Sequence, residues 1–186
     1  IRMMWTKGPS SYEGKHYSIR GAVNHPLPTQ QPHPPLWIGT LGTELSSSIA
    51  PNKQVLEIAA RYADGWNNTP ASPEQCKVML DALRQACERN DRDYGSIRKS
   101  IETQILIAPN KGEVERLKDE ISEANPKSYT DAAWKRAEEE FLIGDPDTIA
   151  ARISEYKAID IDHMQLWFMD MPSESGMRTF AESVAR

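Results

Sequence analysis

A chain of 186 residues with 27 acidic and 22 basic side chains is long enough for one hydrophobic core and carries a net charge of −5. No Lys/Arg cluster interleaves with aromatic residues, which argues against a nucleic-acid partner, because phosphate neutralisation needs a basic face. No window approaches the ~20 apolar residues of a membrane span, and the opening Ile1-Arg2-Met3-Met4-Trp5 lacks the cationic, apolar and cleavage regions of a secretory signal.

Taken in chain order, Met3-Met4-Trp5 reads as the tail of a helix, and Tyr12 to Tyr17 as a turn and short strand. Pro26, Pro28, Pro32, Pro34 and Pro35 make an extended run that cannot join a central sheet. Residues 1–35 are therefore set apart from 36–186. Short apolar runs of strand length follow at Leu36 to Gly39, Gly65 to Asn67, Ile101 to Ala108 and Met164 to Phe168. Helical patterns separate them. One runs through Val55, Ala59 and Tyr62. The next starts at Ser72-Pro73-Glu74-Gln75, with a capping Ser, a Pro at the first helical position and Gln at the capping-box position. Asn110 and Asp145-Pro146 open two more, Ala133 to Phe141 carries another, and Ser173 reads as the cap of the last. Strands alternating with helices imply parallel, right-handed βαβ units.

Cys76 and Cys87 lie eleven residues apart in one helical pattern. At ~1.5 Å rise per residue that is ~16 Å, too far for a disulfide, which needs Cα atoms within ~7 Å. They read as buried thiols in a reducing, cytoplasmic setting. No Cys/His grouping has zinc spacing.

Four βα units are half of an eight-stranded (β/α) TIM barrel, and several local patterns resemble one barrel family. Met4-Trp5-Thr6-Lys7-Gly8-Pro9, with Tyr12 to Tyr17 after it, resembles the segment following the fourth strand of luciferase-like monooxygenases. Gln31 to Gly39 resembles the approach to that family's fifth strand. Ala59 to Asn67 is similar to its fifth helix and sixth strand, and Leu142-Ile143-Gly144-Asp145-Pro146-Asp147 to the turn opening its last crossover. The resemblance implies the C-terminal half of a (β/α)8 barrel of the bacterial luciferase type, a flavin-dependent oxidoreductase using FMN or coenzyme F-420, a small-molecule substrate, and a homodimer when intact. The members using F-420 are closest in pattern. The chain departs from the pattern in three places. The turn after strand five is Gly39-Thr40-Leu41-Gly42-Thr43 with Ser46-Ser47-Ser48 beyond it. The glycine that ends the helix before the last strand is replaced near Asp160. The first four strands, where the family keeps much of its catalytic machinery, are absent.

Barrel sites lie at the C-terminal strand ends. The turn Gly39, Thr40, Leu41, Gly42 and Thr43 offers bare backbone and hydroxyl donors there, and the resemblance makes it the seat of the cofactor's phosphate or side chain. Trp66 could wall a flat ring pocket, and Asn67 reads better as a turn residue. His163 falls at the bottom of the barrel and reads as structural, Asp170 as a helix cap, and no residue stands out as a catalytic acid or base. Two other readings compete: a non-catalytic half-barrel serving as a binding or dimerisation module, and a sugar-phosphate barrel using Ile107 to Gly112. Two open sheet edges and an apolar would-be interior lead to the expectation of a piece of a protein of roughly 300 or more residues, which alone aggregates or pairs with a second copy.

Overall fold

The computed structural model describes residues 1–40 and 52–185, and divides into two compact units, Ile1–Leu36 and Trp37–Arg186. In the first, helix α1 (Arg2–Thr6) precedes an antiparallel hairpin of β1 (Ser10–Glu13) and β2 (Ser18–Ala22), closed by a bond from Gly14 N to Tyr17 O of 2.9 Å. The short helix is held by His33, whose Nε2 accepts from Arg2 Nε at 3.0 Å while its Nδ1 faces Pro34 O at 2.9 Å. With both ring nitrogens engaged, His33 is a structural tie of this unit.

The second unit alternates strands and helices: β3 (Trp37–Thr40), α2 (Lys53–Tyr62), β4 (Gly65–Asn68), α3 (Pro73–Arg89), β5 (Arg98–Ile107), α4 (Lys111–Ala124), α5 (Asp131–Glu140), β6 (Leu142–Gly144), α6 (Pro146–Ala158), β7 (His163–Phe168) and α7 (Ser175–Ser183). The helices begin where the sequence places stops to the orphan N–H groups of a first turn. Asn52 caps α2, Asn110 caps α4, Thr130 caps α5 and Asp145 caps α6. Ser72 and Gln75 close a reciprocal capping box on α3. The last helix differs. Its cap position is Glu174, which makes no side-chain cap bond; Ser173 Oγ accepts from Ser175 N at 3.1 Å, and Asp170 Oδ2 accepts from Gly176 N at 2.8 Å. Asp170 thus anchors α7 from six residues upstream.

β3, β4, β5 and β7 are parallel and adjacent in that order, as the alternation implies. The three-residue strand β6 is an addition. Ile105 pairs with Leu142 of β6 and with Phe168 of β7, while Ser100 and Ile101 pair with β4 and β7. A strand has two edges, so β6 continues the edge that β4 leaves. Three apolar residues before a capped helix are too short to show a period, which is why the sequence reads them as a turn.

Side chains alternate across a strand, and here the two faces have different fates. Ile38, Trp66, Ile101, Ile105, Met164, Leu166 and Phe168 join Leu56, Ala59, Cys76, Leu83, Cys87, Ile149 and Tyr156 in one core beneath the helices. The opposite face carries Trp37, Asn67, Ser100, Glu102, Gln104, Gln165 and Trp167, with Trp37 38% and Trp167 63% exposed. No helix among the described residues is long and apolar enough to cross a membrane.

Both cysteines are free and buried. Burial pushes the Cys76 thiol up to about 11 against an ordinary 9.0, and the Tyr94 hydroxyl up to about 12. The unfolded chain sheds these protons first as pH rises, so the Cys76 contribution to stability is intact below pH 9 and falls between pH 9 and 11, and that of Tyr94 is intact below pH 10 and falls between pH 10 and 12. For Cys76 alone the slope is about 1.4 kcal/mol per pH unit. Urea titrations at pH 8 and pH 10.5 should show this loss. Ellman's reagent should modify both thiols only in denaturant; rapid reaction in buffer would contradict the packing.

Candidate functional site

Parallel strands place all four C-terminal ends at one end of the sheet. Thr40 pairs in register with Asn68, and β5 and β7 run on to Ile107 and Phe168. Thr40 is buried and points toward the helical side. Its Oγ1 donates to Asn68 Oδ1 at 3.0 Å, and Asn68 Nδ2 lies 3.6 Å from Cys76 Sγ on α3. The fully buried Asn68 therefore ties the end of β3 to α3. Asn68→Ala should cost about 1–2 kcal/mol through the unpaired Thr40 hydroxyl, readable as a lower denaturant midpoint; an unchanged midpoint would refute the tie.

Gly39 and Asn67 look to the other face. A Cβ built on Gly39 would meet no atom of the described residues within 4 Å, so among them its backbone is open to close approach. Asn67 Oδ1 accepts from Ser100 Oγ at 2.6 Å, a polar pair on the open side. Further along, Glu102, Gln104, Trp167 and Tyr129 bound a hollow of about 430 Å3, roofed at the end of β4 by Thr69 and Pro70. Gln104 and Trp167 are register partners and stand side by side. Tyr129 leans on Trp134 with ring centroids 5.0 Å apart, and Trp134 Nε1 donates to Ser122 Oγ at 2.8 Å, so the α4–α5 loop presents a braced aromatic wall. A second groove of about 570 Å3 lies between α4 and the ends of β5 and β7; Tyr129 and Met169 line both hollows.

The N-terminal end of the same face is filled. The Trp37 indole lies across Gly65, where a Cβ would come within 2.4 Å of the ring, and His163 and Arg98 sit 6.3 Å and 6.0 Å from it. Arg98 pairs with Asp162 at 3.8 Å. His163 is accordingly at the strand starts, remote in register from the hollow, while His16, His25 and His33 belong to the other unit.

The residues expected to hold a cofactor are thus distributed. Gly39 and Thr40 are at the C-terminal end of β3; Leu41, Gly42 and Thr43 lie outside the described residues. Trp66, expected to wall a ring pocket, is fully buried in the core under α2 and α3, and its Nε1 finds no acceptor among the described residues. The reason is phase: Asn68, two residues on, points at α3, and Trp66 shares its face. The aromatic on the open side is Trp167. Sequence reading passed over Trp167, Glu102, Gln104 and Tyr129. The period-two placement of Glu102 and Gln104 between Ile101, Thr103 and Ile105 was the signal for the strand pair.

A parallel sheet covered on one face by helices, with polar and aromatic side chains toward its C-terminal strand ends, is the arrangement of one side of a (β/α) barrel. The family model for luciferase-like monooxygenases matches residues 1–163, and the chain belongs to that family. Among solved structures it is similar to an F-420-dependent secondary alcohol dehydrogenase in complex with an F-420–acetone adduct (16% identity, TM-score 0.73), covering 99% of this chain and 58% of the other. It is similar to the monooxygenase RslO1 from Streptomyces bottropensis (23%, 0.73), covering 99% and 57%. It is also similar to the coenzyme F-420-dependent tetrahydromethanopterin reductase from Methanopyrus kandleri (17%, 0.72), covering 100% and 60%. The chain thus spans under two thirds of these relatives, and at such identities the likeness is one of fold.

Proposed function

We propose that this chain supplies the strand-five to strand-eight side of the cofactor and substrate site of a flavin- or deazaflavin-dependent oxidoreductase acting on a small organic molecule. The observation that carries the reading is the convergence of Gly39, Asn67, Gln104 and Trp167 on one face at the C-terminal half of the sheet. The residues fit a flat, phosphate-bearing group: Gly39 leaves the backbone bare, and Trp167 offers a wide exposed ring. Gly39, with the backbone of Thr40 beside it, would approach the phosphate or side chain of FMN or coenzyme F-420, while the Thr40 hydroxyl stays with Asn68 on the helical side and Trp66 would support β4 from behind. The isoalloxazine-type ring supplies hydride transfer or oxygen activation when bound. What this chain does is seat that ring, orient the substrate and exclude water on one side. Its relatives are longer, and the 186-residue chain alone should not carry a flavin through gel filtration.

Equilibrium dialysis of the chain against FMN and against F-420 tests the reading. Weak, saturable uptake of one of them is expected, with Gly39→Val abolishing uptake and leaving the unfolding midpoint unchanged, since a side chain there meets empty space. Absence of uptake of both cofactors by folded protein would contradict the reading and favour a non-catalytic module.

A further inference from the structure

We propose that the hollow between Glu102, Gln104, Trp167 and Tyr129 takes a flat organic cation; this rests on the proposed oxidoreductase site and names the substrate class it accepts. The hollow measures about 430 Å3; its lining includes one carboxylate and three aromatic residues, Tyr129, Trp167 and Phe168, of which Phe168 packs into the core beneath the helices. Volumes of this order suit small organic ligands. None of its described lining residues is Lys, Arg or His.

Four cations of β5 and α4 are paired elsewhere, and the exposed Lys111 and Lys127 are not among the described lining of the hollow. Arg98, four residues before Glu102 on β5 and on the same face, is about 13 Å away at ~3.3 Å per residue, and pairs with Asp162. Lys99 lies on the opposite face, 3.0 Å from Asp160. Arg116 on α4 is bound by Glu113 and Glu120, and Lys118 by Glu115 and Glu138. Glu102 itself is partly buried and makes no ion pair among the described residues. A carboxylate with no protein counter-ion, set in a hollow with two aromatic rings, is a site whose field favours positive charge: the ring faces attract a cation and the carboxylate supplies the countercharge. An anionic substrate would meet the Glu102 carboxylate with neutral donors such as the Gln104 amide and the Trp167 indole, but with no cationic side chain among the described lining residues.

The test uses the 186-residue chain labelled with 15N and titrated with N-methylpyridinium, with benzoate as the flat anion of similar size. The indole N–H of Trp167, identified by its loss in Trp167→Phe, should shift saturably with the cation and not with benzoate. Glu102→Gln should weaken the cation at least fivefold. Gln104→Glu, on an accessible surface, should tighten it and keeps the question open to decision if Glu102→Gln fails to fold. Equal response to both probes, or cation binding indifferent to both substitutions, overturns the proposal. FMN dialysis separates the two readings: a chain that takes up flavin but ignores probe charge overturns the cation site alone, and one that binds the cation without taking up FMN or F-420 overturns the oxidoreductase reading.

Discussion

Trp66→Ala should lower the unfolding free energy by about 3–5 kcal/mol, the range for deleting a large buried aromatic. Trp66 has 0% exposure and packs in the core that joins β3, β4 and β5 to α2 and α3. Truncation removes most of an indole from a site whose neighbours, Ile38 and Ile101 among them, are themselves fixed in the sheet and cannot close the void. Trp66→Phe should cost far less. The indole Nε1 is buried without an acceptor, so its removal relieves a desolvated donor while most of the ring area remains. Chemical denaturation of the two variants checks both numbers. If Trp66→Ala were as mild as Trp66→Phe, the indole would not be in the core and could wall a ring pocket instead.

Asp160→Val should cost about 2–4 kcal/mol, from two sources. Asp160 adopts φ +78°, a left-handed conformation that costs an ordinary L-residue about 1–2 kcal/mol. Its carboxylate also lies 3.0 Å from Lys99 Nζ, whose side chain is only 5% exposed and sits 4.4 Å from the centre of the Tyr94 ring. Breaking a fully buried pair costs about 3–5 kcal/mol; Asp160 is 54% exposed, so water reaches the pair and the loss is smaller. Asp160→Gly should recover the conformational part, about 1–2 kcal/mol relative to Asp160→Val, and leave the electrostatic part lost. The double variant Lys99→Met with Asp160→Gly should come close to the parent. Urea midpoints of the four proteins decide it, and equal destabilisation by Val and Gly at 160 would remove the strain from the account.

The same position shows what the sequence can reveal. A glycine expected before the last strand is replaced near Asp160, and the backbone still takes the left-handed turn, stabilised by a lysine 61 positions earlier in the chain. The departure is visible in the sequence, but its compensation is not, because Lys99 reads as an ordinary strand-start charge until β5 and β7 pair. Strand order was legible for a different reason: each of β3, β4, β5 and β7 is a short apolar run between capped helices, and parallel pairing follows from the alternation. The face of each side chain was less so. A two-residue period leaves the phase open when both faces carry large residues, as in Gly65-Trp66-Asn67-Asn68, and only the Asn68 contact with α3 settles that Trp66 looks inward to the helices. The hollow was illegible because Tyr129 reaches it from a loop between two helices, far in sequence from Glu102 and Trp167.

The central claim is that the functional face is the one opposite the helices, at the C-terminal half of the strands. Backbone amide shifts of the 15N-labelled chain during titration with FMN test it most directly. The account predicts shifts concentrated at residues 39–40, 67–70, 104 and 167–170, with Arg98, Lys99 and His163 at the strand starts unmoved. Shifts centred on the strand starts, or on the outward surfaces of α2 and α3, would contradict it.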